Sequence, residues 1–163
     1  MISDLSKIKK IRSKKKFTIS LAESCTGGMI SKYLTSINGS SLFFNGACIT
    51  YSNKMKTSLL RVPKNTIINY GAVSHQTALA MVRGLKRITD SEILLSVTGV
   101  AGPSGGTLRT PVGCVFFGIG SKINKKYTFQ TTKKIFRGKT RLAIQKNSTE
   151  HAMHLILKEL KKI

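Results

Sequence analysis

Residues 91–99 read Ser-Glu-Ile-Leu-Leu-Ser-Val-Thr-Gly, and Ile93–Val97 is a nearly continuous apolar run. A strand wetted on one face alternates apolar and polar residues, so an unbroken run belongs to a strand covered on both faces, as in a parallel sheet flanked by helices. The neighbouring segments fit that architecture. Phe17, Ile19 and Leu21 alternate with Thr18, Ser20 and Ala22 at strand period, and the run stops at Glu23-Ser24-Cys25-Thr26-Gly27-Gly28. A helix is predicted next, with Thr26 as N-cap and Met29, Ile30, Tyr33, Leu34 and Ile37 at helical spacing, until Asn38-Gly39. Leu42 to Tyr51 reads as a second strand, followed by a short helix up to Val62-Pro63. Ser74 caps a longer helix with the stripe Ala78, Met81, Val82, Leu85 and Ile88.

After the Ile93–Val97 strand, Val112 to Ile119 gives another strand. Tyr127, Phe129 and Thr131 alternate in a more polar edge strand, and Ala152, Leu155, Ile156, Leu160 and Ile163 share one face of a C-terminal helix. The expected fold is α/β: a single-domain layered sandwich with a mostly parallel sheet flanked by helices. It spans residues 1–163 as one domain, with 1–16 as a basic N-terminal helix or extension. A chain of 163 residues has room for one domain with a real core, and there is no internal repeat.

Charge is the outstanding compositional feature: 28 Lys+Arg against 6 Asp+Glu give +22. With 40% hydrophobic residues the chain is too apolar for a disordered basic tail. Seven of the ten residues from Lys7 to Lys16 are basic, which reads either as a phosphate-binding patch or as a solvated helix face. Cys25, Cys48 and Cys114 form no CxxC pair and have no His at ligand spacing, so neither a disulfide framework nor a metal site is encoded. No segment approaches the roughly 18 apolar residues of a membrane span, and the N-terminus lacks a signal-peptide core. A cytoplasmic location is expected, with no membrane partner.

Open α/β sheets bind ligands at the carboxyl ends of their strands, and here three strands end in small or polar residues. These are Ser24-Cys25-Thr26-Gly27-Gly28, Tyr51-Ser52-Asn53 and Thr98-Gly99. Other motifs fail. Gly138-Lys139-Thr140 resembles the end of a phosphate-binding loop, but Lys133 stands where the earlier glycine must be. Gly99, Gly102 and Gly105 lack dinucleotide-fingerprint spacing. His75, His151 and His154 offer no metal pairing and read as surface residues. With only Asp4, Glu23, Asp90, Glu92, Glu150 and Glu159 available, a paired-carboxylate mechanism is disfavoured.

Taken in order, Ala22-Glu23-Ser24-Cys25-Thr26-Gly27-Gly28, Tyr51-Ser52-Asn53 with Lys56, Gly71-Ala72-Val73-Ser74, Thr98-Gly99-Val100-Ala101-Gly102-Pro103 with Gly105-Gly106, and Pro111-Val112-Gly113 resemble the motif series of the CinA C-terminal domain family. The resemblance runs from about Phe17 to Leu160. It implies the activity of the family's stand-alone nicotinamide-nucleotide amidohydrolases: deamidation of nicotinamide mononucleotide to nicotinic acid mononucleotide and ammonia. The larger CinA proteins carry a preceding molybdopterin-binding-like domain, for which this length leaves no room.

Carried over by motif, the resemblance implies Ser24 as nucleophile, with Tyr51, Lys56 and Thr98 in the catalytic group. It places Thr26, Gly27, Gly28, Gly99, Gly102 and Arg141 around the substrate. A small pyridine nucleotide and a homo-oligomeric partner are implied, and no cofactor or metal. The chain departs from the family at three places. Lys54 replaces an acidic residue, Ser104 an aspartate, and Lys139-Thr140-Arg141 with Gln145 stands where the family has Gly-Asp-Arg and a second arginine.

The chemistry can also be stated from the residues. Amide hydrolysis needs a nucleophile, a base, oxyanion donors and an acid for the departing ammonia. A serine–lysine pair serves if the lysine is neutral, which needs burial or cationic neighbours to pull it below its usual ~10.4. The expected roles are Lys56 as base, Tyr51 as proton relay, the Thr26–Gly28 amides with the Thr98 hydroxyl as oxyanion donors, and Arg141 as phosphate anchor. Cys25 is an alternative nucleophile if a helix N-terminus stabilises its thiolate. The rival reading is a catalytically impaired, basic nucleic-acid-binding or accessory protein acting through Lys7 to Lys16.

Overall fold

The computed structural model describes residues 2–138 and 140–163. Its elements are α1 (Ile2–Lys14), β1 (Ile19–Glu23), α2 (Met29–Leu34), β2 (Phe44–Ile49), α3 (Asn53–Leu60), α4 (Lys64–Tyr70), α5 (His75–Lys86), β3 (Ile93–Gly99), β4 (Cys114–Ile123), β5 (Lys126–Ile135) and α6 (Arg141–Leu160). The five strands form one sheet in the order β2-β1-β3-β4-β5. Strand β1 pairs in parallel with β2 and β3, whereas β4 is antiparallel to both β3 and β5. Four strands therefore point the same way and only β4 is reversed, so the sheet is mixed within a mostly parallel plan.

Helices cover both faces. One core joins Ile19, Leu21, Leu95, Val97 and Phe117 to residues of α1, α2 and α6, among them Leu5, Ile8, Ile30, Leu34, Met153 and Ile156. The other joins Ala22 and Leu94 to Leu60 of α3, Val62, and Met81, Val82 and Leu85 of α5. Each buried Val, Leu, Ile, Met or Phe side chain among these contributes about 1.5–3 kcal/mol relative to exposure. Double coverage explains two departures from the sequence pattern. Strand β1 is buried along its whole length despite alternating composition. Its polar Ser20 joins a hydroxyl cluster with Ser91 (2.8 Å) and Thr89 (3.3 Å), so burial leaves it bonded.

The edges differ from the centre. Strands β2 and β5 alternate between half-buried and exposed residues, as expected for sheet margins. Ser74 caps α5 by accepting from Thr77 N–H at 3.1 Å, as its sequence position predicts. Helix α4 was not marked by any periodic stripe, and none of its residues is fully buried. His151 departs from its surface reading. It packs edge-on against Phe117 with centroids 4.9 Å apart, and burial pushes its imidazole down to about 4.

Candidate active site

The carboxyl ends of β1, β2 and β3 lie side by side, and the loops leaving them surround a cleft of about 260 Å3. Ser24, Tyr51, Lys56, Thr98, Gly99, Gly102 and Arg141 all line it, together with Cys25 and Asn53. Its chemical centre is a contact between β1 and α3. Ser52 caps α3 by accepting from Met55 N–H at 3.1 Å, and helical side chains lean toward the N-terminus. Lys56, in the first turn, therefore reaches back over its own helix end. Its Nζ lies 3.1 Å from Ser24 Oγ, 2.9 Å from Thr50 O and 3.3 Å from Tyr51 O.

Lys56 is 1% exposed, and burial pulls its ammonium below the ordinary lysine value of 10.5. Desolvation dominates that shift; of the two causes the sequence left open, burial acts and no neighbouring cation contributes. As an ammonium, Lys56 donates to Ser24 Oγ, Thr50 O and Tyr51 O. Once neutral, it keeps two N–H groups for the carbonyls and turns its lone pair toward the Ser24 hydroxyl.

The turn after β1 is held by a residue whose role the sequence did not reveal. Glu23 is fully buried, and its carboxylate accepts from Thr26 Oγ1 (2.6 Å), Gly28 N–H (3.0 Å), Ile30 N–H (3.3 Å), Ser31 N–H (2.8 Å) and Ser31 Oγ (2.5 Å). It caps α2 in place of Thr26. The actual N-cap position is Gly28 at φ 96°, a conformation that side chains with a Cβ rarely adopt. The visible signal was a lone acid at the end of an apolar strand, directly before a helix start.

This cap changes the roles expected of the loop. Gly28 N–H is bound to Glu23, Gly27 N–H donates to Ser24 O at 3.0 Å, and the Thr26 hydroxyl is bound to Glu23. None of Thr26, Gly27 and Gly28 lines the cleft, and the bonds they make build the turn. Thr98 Oγ1 donates its proton to Ala72 O at 2.8 Å, which removes it as an oxyanion donor in this arrangement. Cys25 loses its nucleophile reading: burial pushes its thiol up to about 12, and the helix end that would stabilise a thiolate holds the Glu23 carboxylate.

Tyr51 acts through two separate atoms. Its carbonyl accepts from Lys56, while its exposed hydroxyl accepts from Arg141 Nη2 at 2.6 Å. The hydroxyl is thus engaged away from the serine–lysine contact, and the proton-relay role is replaced by a positioning one. Arg141 also donates from Nη1 to Gly102 O at 2.8 Å, joining the loops after β2 and β3 at the mouth of the cleft. One turn on, Gln145 Nε2 donates to Cys25 O at 2.9 Å and so holds the nucleophile loop from the α6 side. Lys139 lies outside the described residues.

Among the described residues no group of three His, Cys, Asp or Glu side chains could hold a metal ion, and no helix is long and apolar enough to cross a membrane. The basic segment lies elsewhere. Lys7, Lys10 and Lys14 of α1 face Lys158 of α6 and its C-cap Lys161 across a groove of about 500 Å3 that shares no residue with the cleft.

A mixed α/β sheet with a buried serine–lysine contact at its strand ends defines the class of protein. The chain matches the CinA C-terminal domain family over residues 4–160 and belongs to it. A CinA-like protein of Leptospira biflexa is 44% identical over 146 residues, covering 90% of this chain and 34% of the relative. A CinA-like protein of Petrotoga mobilis is 47% identical over 145 residues, covering 89% and 35%. The chain thus spans about a third of the length of these curated relatives. Among solved structures, the competence/damage inducible protein CihA of Agrobacterium tumefaciens superposes with a TM-score of 0.86 at 31% identity, covering 97% of this chain and 95% of the other. The competence damage-inducible protein A of Klebsiella pneumoniae superposes at 0.88 with 24% identity, covering 98% and 96%, which shows a common fold.

Proposed function

We propose that the chain is an amidohydrolase that deamidates nicotinamide mononucleotide to nicotinic acid mononucleotide and ammonia. The observation that carries this reading is the Lys56 amine, buried and 3.1 Å from Ser24 Oγ with two backbone carbonyls holding its hydrogens. Ser24 Oγ attacks the carboxamide carbon as its proton passes to Lys56 Nζ. The tetrahedral intermediate then collapses, its C–N bond breaks, and Lys56 returns the proton to the departing ammonia. Water attacks the resulting ester by the reverse sequence, with Lys56 again taking and returning a proton, and the carboxylate product leaves. The backbone amide of Cys25, which lines the cleft beside Ser24, is the oxyanion donor in this scheme. Arg141, held by Gly102 O and Tyr51 Oη, presents its guanidinium at the cleft mouth for the substrate phosphate.

The test is ammonia release from nicotinamide mononucleotide by the purified chain, with Ser24→Ala and Lys56→Met as controls. Release by the parent chain and loss in both variants is the expected result, as is a mass increment on Ser24 when the reaction is quenched early. Release no greater than that of Ser24→Ala would sink the proposal. If that null result came with steeply salt-dependent DNA binding abolished by Lys10→Glu/Lys158→Glu, the lysine groove between α1 and α6 would carry the function instead.

A further inference from the structure

A third concavity, of about 290 Å3, lies between α4 and α5. One wall is a single stripe of α5: Gln76, Leu79, Ala80, Arg83 and, at its C-cap, Arg87. Thr66 and Tyr70 of α4 form the other wall, and Arg61 closes one end. Three arginines therefore border one hollow, and Arg83 at the same time holds its guanidinium over the Phe129 ring of β5, 5.8 Å from the ring centroid. None of the six acids of the chain lines it, and no salt bridge among the described residues reaches Arg61, Arg83 or Arg87.

Two features of the backbone bring these arginines together. Gly84 lets α3 end directly against α5: a Cβ at that position would lie 2.0 Å from Leu60 O. The next residue, Arg61, takes the left-handed conformation at φ 52°, where glycine is the usual occupant. Its side chain thereby joins those of α5. The negative ends of helix dipoles favour a cation at Arg61 and Arg87, which cap α3 and α5. That does not account for the hydroxyls of Thr66 and Tyr70 and the amide of Gln76 on the same hollow.

We infer that the hollow between α4 and α5 is a second ligand site, distinct from the cleft, that binds a phosphate group through Arg61, Arg83 and Arg87. Planar guanidinium forks match phosphate oxygens two at a time, and the flanking hydroxyls and amide add neutral donors. A phosphate dianion would relieve the mutual repulsion of three uncompensated charges. The ring of Tyr70 with Leu79 offers an apolar wall to whatever the phosphate is attached to. The two sources of that group are inorganic phosphate or pyrophosphate and a nucleoside monophosphate.

The experiment is a nitrogen-edited NMR titration of the full chain with inorganic phosphate, pyrophosphate, uridine monophosphate and uridine. Arg141→Gln serves as the background, so that binding in the cleft does not contribute. Saturable shifts at Thr66, Tyr70 and the Gln76 side-chain amide are expected from the phosphate-bearing probes and not from uridine. Arg83→Gln/Arg87→Gln is expected to weaken them by about tenfold or more, with Ser24-dependent turnover in the otherwise native chain unchanged. Tighter binding of uridine monophosphate assigns a nucleotide; equal binding assigns the free anion. No saturable shift at these residues, or the same affinity in the doubly substituted protein, overturns the site.

Discussion

Glu23→Gln is the sharpest test of how the nucleophile is held. The carboxylate accepts three hydrogen bonds on Oε2, from Thr26 Oγ1, Gly28 N–H and Ile30 N–H, and two on Oε1, from Ser31 N–H and Ser31 Oγ. Glutamine has one acceptor oxygen where glutamate has two. The less damaging orientation places its NH2 at the Oε1 position. There the Ser31 hydroxyl can rotate to accept, while the Ser31 amide loses its partner, at about 1–3 kcal/mol. The three surviving bonds change from charge-assisted to neutral, a loss of about 0.5 kcal/mol or more each. The anion at the α2 N-terminus also disappears, worth about 0.5 kcal/mol. The easier burial of an amide than of a carboxylate offsets part of this. The expected destabilisation is about 3–4 kcal/mol, or roughly 10 °C in Tm for a chain of this size.

Urea denaturation followed by far-ultraviolet circular dichroism measures the loss, with a thermal melt beside it. Because Glu23 precedes Ser24 directly, the same substitution should move Ser24 Oγ off its 3.1 Å contact with Lys56 and lower kcat about tenfold. Glu23→Ala leaves every one of these donors without its acceptor and is expected to be worse. A Glu23→Gln protein within about 1 kcal/mol of the parent would refute the reasoning, since the turn would then not depend on the charge or on the second oxygen.

Two further outcomes follow from the same site. The Lys56 amine titrates below 10.5, so kcat/KM for amide hydrolysis should rise with pH and level off below the ordinary lysine range; a limb at or above that range would contradict the buried-base reading. Between the folded and unfolded lysine values the unfolded chain binds more protons, so stability rises with pH through that window; Lys56→Met should flatten the slope in urea titrations. At Gly84, alanine gains about 1 kcal/mol of helix propensity, but its Cβ would meet Leu60 O at 2.0 Å and Leu60 C at 2.8 Å. A net destabilisation of about 2 kcal/mol with reduced kcat is expected, because the helix displaced from α5 carries Lys56. A Gly84→Ala protein as stable as the parent would show that α3 moves freely there.

Local pattern and motif chemistry decided a large part of this protein. The nearly continuous apolar run Ile93–Val97 required a doubly covered strand, and apolar stripes placed α2, α5 and α6. Three polar strand ends then had to open on the same side of the sheet, and the motif series named Ser24 and Lys56, whose side chains meet at 3.1 Å. The direction of β4 was not legible, because an apolar strand reads the same in either sense and only its partners fix it.

Hydrogen-bond partners were settled by the tertiary structure. Thr26, Thr98 and Tyr51 are polar residues in the expected loops, but each hydroxyl is engaged by an atom remote from the serine–lysine contact: Glu23 Oε2, Ala72 O and Arg141 Nη2. Glu23 looked like a strand-end acid and is the buried cap of a helix. Lys56 owes its depressed pKa to burial and not to the +22 charge around it. Sequence records which groups a chain has at which spacing, and that sets the elements and their faces. Desolvation and the pairing of donors with acceptors depend on distances of a few ångströms between residues far apart in the chain, and only the folded packing of α3 and α6 against the strand ends creates those distances.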